Sequence, residues 1–207
     1  MIPLGIANAP MPSLPLFPLH TVLFPGGRLP LRIFEQRYIE MATACLRDDT
    51  SFGVCLILRG AEVLPKGSAA PEFAATGTLA RIETWDMPQQ GILHVRAAGG
   101  TRFEVRSHAM REDGLVVGEI APLAAEPRVA LAAGFEPLAQ LLELLAARAG
   151  PHQFPDERSF DDASWVGYRL TELLPLPLSI KQHILEINDA EIRLSVLQGF
   201  LKQQGLM

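Results

Sequence analysis

Residues 14–41 read LPLFPLHTVLFPGGRLPLRIFEQRYIEM, and the hydrophobic pattern changes along this segment. In residues 29–33 apolar side chains alternate with proline and arginine, which is the period of a half-buried strand. Pro30 removes a backbone donor, so this strand is predicted to lie at an edge or a bulge. The Pro-Gly-Gly sequence at 25–27 favours a turn in which a glycine takes positive φ. The segment therefore predicts a strand, a turn, a second strand and a helix.

The helix that follows is predicted from a change of period to about three and a half residues. The face expected to pack on the core consists of Phe34, Tyr38, Met41, Ala42 and Cys45. Glu35, Arg37 and Glu40 fall off that face. A carboxylate at a helix start is stabilised by the macrodipole, so Glu35 is expected to pair there with an arginine in a structural role. Contact with a bound peptide, together with Arg32, is the alternative role of Glu35 and Arg37.

Strand patterns continue from the helix as far as Pro122. Strands are predicted at residues 51–58, 76–85, 92–97, 101–107 and 115–120, with a surface loop at 65–75. Gly99-Gly100 is expected to break the pattern, and Asp113-Gly114 is a hairpin signal. About six strands on short turns with one helix predict a small barrel or two paired sheets.

The residues after Pro122 lack strand periodicity. Residues 124–148 are rich in alanine and leucine and predict a helix that Gly150-Pro151 would stop. Three further helices are predicted from capping residues, which are Asp161 or Asp162, Ser179 with Gln182, and Asn188 or Asp189. Phe160 is expected to pack on Trp165 at the start of the first of these helices.

The ordered motifs LPLFPL, VLFPG and LPLRIFEQRY resemble the opening of the N-terminal, substrate-binding domain of the Lon ATP-dependent proteases. The likeness continues through residues 52–54, 77–82, 99–103 and 174–182, and it covers about residues 13–201. It implies an α+β fold in which residues 13–122 form a PUA-like β-barrel or sheet lobe with one helix. Residues 123–207 would form a helical bundle lobe, and residues 1–12 are expected to be a flexible leader.

Full Lon proteases continue with an ATPase module and a serine-lysine peptidase module, but no GxxxxGKS or GxxxxGKT phosphate loop occurs in this sequence. The resemblance therefore implies a stand-alone, non-catalytic module that recognises unfolded or client protein segments, with a protease or chaperone system as further partner. The residues expected to contact a peptide are Pro25, Leu29, Pro30 and Arg32. The motif residues expected to be structural are Gly26, Gly27, Phe34, Glu35, Arg37 and Tyr38.

Composition argues against several other classes of function. The net charge is -5, whereas nucleic-acid binding usually needs a basic surface. The five histidines and two cysteines are scattered, so neither a metal site nor a catalytic or cofactor-binding site is predicted. No apolar run approaches the ~20 residues of a membrane span, and Cys45 and Cys55 are expected to be buried thiols in the cytoplasm. A PUA-like RNA-binding protein and an unrecognised small-molecule enzyme remain the alternatives.

Overall fold

The computed structural model describes residues 13–63, 69–148 and 158–205, which contain seven strands and five helices. The strands are β1 (Ser13–Leu19), β2 (Arg28–Ile33), β3 (Phe52–Arg59), β4 (Glu72–Phe73), β5 (Thr76–Gln89), β6 (Ile92–Met110) and β7 (Val116–Pro122). The helices are α1 (Gln36–Asp48), α2 (Glu136–Arg148), α3 (Ala163–Leu173), α4 (Leu178–Glu186) and α5 (Ala190–Gln203). A β lobe (β1–β7 with α1) thus precedes a helical lobe (α2–α5), and the predicted α+β class is confirmed. The predicted leader, residues 1–12, and the Gly150-Pro151 helix stop lie outside the described residues.

The β lobe is a closed barrel. Five strands follow one another in the order β1, β7, β6, β5 and β3, and β1 also pairs in parallel with β3, which completes the ring. β2 pairs with the first part of β6, and β4 pairs with the end of β3. Closure removes the edges within the ring, and the open sheet edges of the described barrel belong to β2, to β4 and to residues 81–89 of β5, which pair only with β6.

The turn before β2 has the predicted geometry. Gly27 N donates to Phe24 O at 2.9 Å across Pro25 and Gly26, and Gly26 has a φ of 70°. Positive φ at the third position is what a type II turn requires, and glycine adopts it without a Cβ clash. Within the described residues β2 pairs only with β6, where Pro30 lies opposite Arg96. The prediction of an edge strand at Pro30 is therefore confirmed.

Strand β6 corrects one prediction, because it runs unbroken through Gly99-Gly100. Gly26 N donates to Gly99 O at 2.7 Å, and Gly99 N donates to Gly27 O at 2.8 Å. A Cβ added at Gly99 would overlap the carbonyl oxygen of Phe24. Gly99 therefore marks a close approach between the turn and the middle of β6, and it does not end the strand.

The predicted helix face was wrong at Phe34 and Arg37. Phe34 is 56% exposed, because α1 begins only at Gln36 and Phe34 lies before it, outside the helical period. Arg37 is buried, although it was predicted to lie off the core face. Its guanidinium donates to Gly114 O at 2.8 Å and to Glu35 Oε2 at 2.7 Å, so the Glu35 carboxylate pairs with the buried charge.

The remainder of that face is as predicted. Tyr38, Met41, Ala42 and Cys45 are all buried in the described barrel core. The ring of Tyr38 stacks on Phe17 of β1 with centroids 3.9 Å apart. Helix α1 therefore packs against the strand that closes the barrel.

The helical lobe agrees with the predicted caps at two of three starts. Asp162 Oδ1 accepts from Ser164 N at 3.0 Å, Asp189 Oδ1 accepts from Ile192 N at 2.9 Å, and Phe160 packs edge-on against Trp165. The capping box at Ser179 was wrong, since α4 begins at Leu178 and its N-cap is Pro177.

The helix predicted over 124–148 forms only from Glu136 onward. The residues before it run alongside the start of α3, where Leu131 N donates to Asp161 O and Ala163 N donates to Val129 O. These bonds hold that segment extended against another part of the lobe, which local composition does not predict. None of the helices in the described ranges is long and apolar enough to cross a membrane.

Candidate functional site

Three cavities open around the edge strand β2, and Pro30 lines all of them. The first, which we name the inter-lobe cavity, has a volume of about 470 Å³ and lies between β2 and helices α3 and α4. It is lined by Thr21, Val22, Leu23, Arg28, Leu29, Pro30, Arg96, Glu172, Leu173, Leu178 and Lys181. The cavity thus combines aliphatic side chains with charged groups from both lobes.

The other two cavities flank the remainder of β2. The hairpin cavity, of about 530 Å³, lies along β2, β5 and β6 and is lined by Pro30, Leu31, Arg32, Thr84, Trp85, Asp86, His94, Val95 and Arg96. The helix cavity, of about 160 Å³, includes Phe34, Glu62 and Val63. Phe34, Val63 and Trp85 are each more than half exposed. Exposed apolar side chains beside a free strand edge are typical of a binding surface.

The residues predicted to contact a peptide are not all in one place. Leu29 and Pro30 line the inter-lobe cavity, and Arg32 is exposed in the hairpin and helix cavities. Pro25 lies elsewhere, in a fourth cavity of about 390 Å³ beside Trp165, and its carbonyl accepts from Arg169 Nη2 at 2.8 Å.

The motif residues predicted to be structural also divide into two groups. Gly26 and Gly27 form the turn, and Glu35, Arg37 and Tyr38 lie where α1 meets the barrel. Phe34 is exposed and lines the helix cavity, and Glu35 and Tyr38 form part of the same lining. We define the β2 surface as β2 with the inter-lobe, hairpin and helix cavities.

The inter-lobe cavity contains ionisable groups that sequence reasoning missed. Glu172 of α3 accepts from Arg169 Nη2 at 2.9 Å, and its other oxygen lies 2.9 Å from Arg169 Nε. Lys181 Nζ of α4 donates to the backbone carbonyl of Glu172 at 3.0 Å. Burial raises the pKa of Glu172 to about 7, although Arg169 and Lys181 act in the opposite direction. Burial likewise lowers the pKa of Lys181, opposed by Glu172.

A second missed cluster joins the lobes behind the turn. Arg102 of β6 lies 2.9 Å from Glu126 and donates to Leu185 O at 2.6 Å. Glu126 also accepts from Arg193 and Tyr168. The strand alternation predicted that Arg102 points away from Phe103, but the side it points to is covered by the helical lobe. The sequence signal that could have predicted such a cluster is a single arginine among the apolar residues of a helix, as at Arg169 and Arg193, because a buried arginine needs a buried acidic partner.

The described residues contain no group of three or more His, Cys, Asp or Glu side chains that could hold a metal ion. Cys45 and Cys55 are both buried and free. The arrangement around β2 is therefore suited to holding a chain segment, through an open backbone edge, apolar recesses and fixed charges.

This chain is similar to a known protein family, to a curated protein and to solved structures. Residues 13–203 match the family of the ATP-dependent protease La (LON) substrate-binding domain. A solved Lon N-terminal domain protein from Xanthomonas campestris is 39% identical, with a TM-score of 0.75, and the match covers 91% of this chain and 98% of that one. Lon protease 2 of Myxococcus xanthus is 39% identical over 85 residues, which are 40% of this chain and only 10% of that protein.

The N-terminal domain of a Lon protease from the Mycobacterium avium complex has the same fold at 18% identity. Its TM-score is 0.60, and the match covers 90% of this chain and 96% of that chain. These structures agree with the β-barrel lobe and the helical lobe described above, and the fold is consistent with a PUA-like barrel.

Proposed function

Because this chain belongs to the family of the ATP-dependent protease La (LON) substrate-binding domain, we propose that it recognises unfolded segments of client proteins at the β2 surface. The convergence of three cavities and several exposed apolar side chains on one free strand edge carries this proposal. The activity proposed is binding without catalysis, with a protease or chaperone system acting on the bound client.

The proposed mode of binding is addition of an extended segment beside β2. An edge strand offers unpaired backbone groups, and side chains of the added segment alternate between its two faces. Contacts with the backbone tolerate any sequence, which suits a module that meets many clients. Leu29, Pro30 and Arg32 would contact the segment, and Phe34 and Trp85 would cover its apolar side chains.

The net charge of -5 supports a protein ligand over a nucleic acid, whose phosphates need excess cations. A cytoplasmic location is also part of the proposal, supported by two buried free thiols, since reducing compartments keep cysteines unpaired.

The test is the binding of fluorescently labelled casein, an unfolded protein, measured by anisotropy. Phe34→Ser and Trp85→Ser together should weaken binding by about tenfold or more, as loss of apolar anchors does. The same two changes should leave stability within about 1 kcal/mol of wild type, because both side chains are exposed. The matched control is Leu144→Ser on α2, where the leucine is 67% exposed and lies outside the linings of the three cavities. Absence of casein binding by the wild type, or equal losses at both sites, would contradict the proposal.

A further inference from the structure

We propose that the inter-lobe cavity binds a carboxylate group that neighbours an aliphatic side chain in the bound peptide. This inference rests on the proposed function and assigns one part of the β2 surface a chemical preference. The ligand carboxylate belongs either to the C-terminus of the client or to an Asp or Glu side chain within it.

The charge balance of the cavity is the first argument. Its lining contains three cations, which are Arg28, Arg96 and Lys181, and one carboxylate, that of Glu172. The Glu172 carboxylate is contacted by Arg169, which lies outside the lining and is almost completely buried. The chain as a whole carries a charge of -5, so the positive charge here is local. Such a recess concentrates anions.

The donors available in the cavity are suited to a carboxylate. Lys181 Nζ gives one hydrogen bond to the Glu172 carbonyl, and an ammonium group has three donors. Arg96 lies in β6 directly opposite Pro30, and its guanidinium can hold both oxygens of a carboxylate at once.

The apolar part of the lining indicates which kind of side chain lies next to the carboxylate in the bound peptide. Val22, Leu29, Leu173 and Leu178 surround the charged residues, and Leu23 beside them is buried. Helix α4 begins at Leu178, which lines the cavity, so the positive end of the helix dipole lies at this wall. Aliphatic walls fit an aliphatic side chain better than a sugar or a hydrated phosphate. The combination therefore points to a peptide ligand.

The test compares the affinities of four fluorescent peptides that are variants of one parent sequence and form two acid–neutral pairs. The first ends in leucine with a free carboxylate, and the second is its C-terminal amide. The third and fourth are amidated and carry Leu-Asp or Leu-Asn internally. At least one acid, terminal or internal, should bind about tenfold more tightly than its neutral partner, as one added charge-assisted contact predicts. Preference for the terminal or the internal acid identifies the source of the carboxylate.

Arg96→Gln and Lys181→Gln should each abolish the difference between acid and neutral peptide. Arg81→Gln is the control, because Arg81 lies outside the cavity lining, is exposed and pairs with Asp49, and it should leave that difference intact. Thermal unfolding of each variant separates misfolding from lost contacts. Equal affinity for acid and neutral peptides in both pairs would overturn the inference, as would a preference that survives both cavity variants. Casein binding measured in parallel separates this failure from a failure of the proposed function.

Discussion

Replacing Glu126 with glutamine should destabilise the domain much more than any change to a surface charge. Glu126 lies between Arg102 and Arg193, whose side chains are 3% and 0% exposed. It also accepts hydrogen bonds from Tyr168 and Ser164. Glutamine keeps the size of the side chain but removes its charge, and it leaves two buried guanidinium groups without a counter-ion. Breaking a buried ion pair in this way costs about 3–5 kcal/mol.

Urea unfolding followed by tryptophan fluorescence and by circular dichroism measures this loss. For a chain of this size, about 3–5 kcal/mol corresponds to a decrease in Tm of roughly 6–20 °C. The control is Asp49→Asn, since Asp49 and Arg81 form an exposed pair at 2.7 Å whose loss should cost at most about 1 kcal/mol. A Glu126→Gln variant as stable as the Asp49→Asn variant would refute the reasoning.

The pH dependence provides a second check of the same residue. Burial raises the pKa of Glu126, but hydrogen bonds from Arg193, Tyr168 and Ser164 outweigh it, and the pKa lies below its ordinary value of 4.5. A carboxyl group whose pKa is lower in the folded state stabilises the protein fully above its unfolded pKa. That contribution is lost as the pH falls through the folded pKa. The stability difference between wild type and Glu126→Gln should therefore be constant near neutral pH and shrink below about pH 4.5.

Gly27→Val should lower stability by about 1–3 kcal/mol, because the new side chain would overlap the Glu172 carboxylate, and an unchanged urea midpoint would contradict this. Arg32→Ala should leave Tm nearly unchanged and weaken casein binding, since Arg32 is exposed; a large loss of stability would show a structural role instead. Cys45 and Cys55 should react slowly with a thiol reagent in the folded protein, because burial raises the pKa of both thiols, that of Cys55 to about 12. Rapid labelling of either cysteine before unfolding would be inconsistent with this burial.

Local signals in the sequence were enough to predict most of the elements and several of their boundaries, although β6 was predicted as two strands and β4 lies in the segment predicted to be a surface loop. The turn at Pro25-Gly26-Gly27, the edge position of Pro30 and the caps at Asp162 and Asp189 are determined within a few residues of chain. Such features depend on backbone sterics and on neighbouring donors and acceptors, which a sequence states directly. The fold class was predicted in addition from the resemblance of the motifs to the Lon substrate-binding domain.

The candidate site was predicted only in part, because local signals predict the residues of one strand but not the exact start of the helix that follows. Leu29, Pro30 and Arg32 could be proposed because they belong to an alternating edge strand. Phe34 was assigned to the core because one residue of error in the start of α1 moves a side chain from the buried face into solvent. Helix boundaries are the least determined feature of a sequence pattern.

Only the tertiary structure determined how the two lobes meet. Periodicity placed Arg102 on the outer side of its strand, but Glu126 and the helix carbonyls that cover it come from distant parts of the chain. The inter-lobe cavity likewise brings Arg96 of β6 beside Glu172 and Lys181 of two later helices. A hydrophobic pattern states which face of an element is covered, but it does not state which residues cover it, because that depends on contacts between elements far apart in sequence.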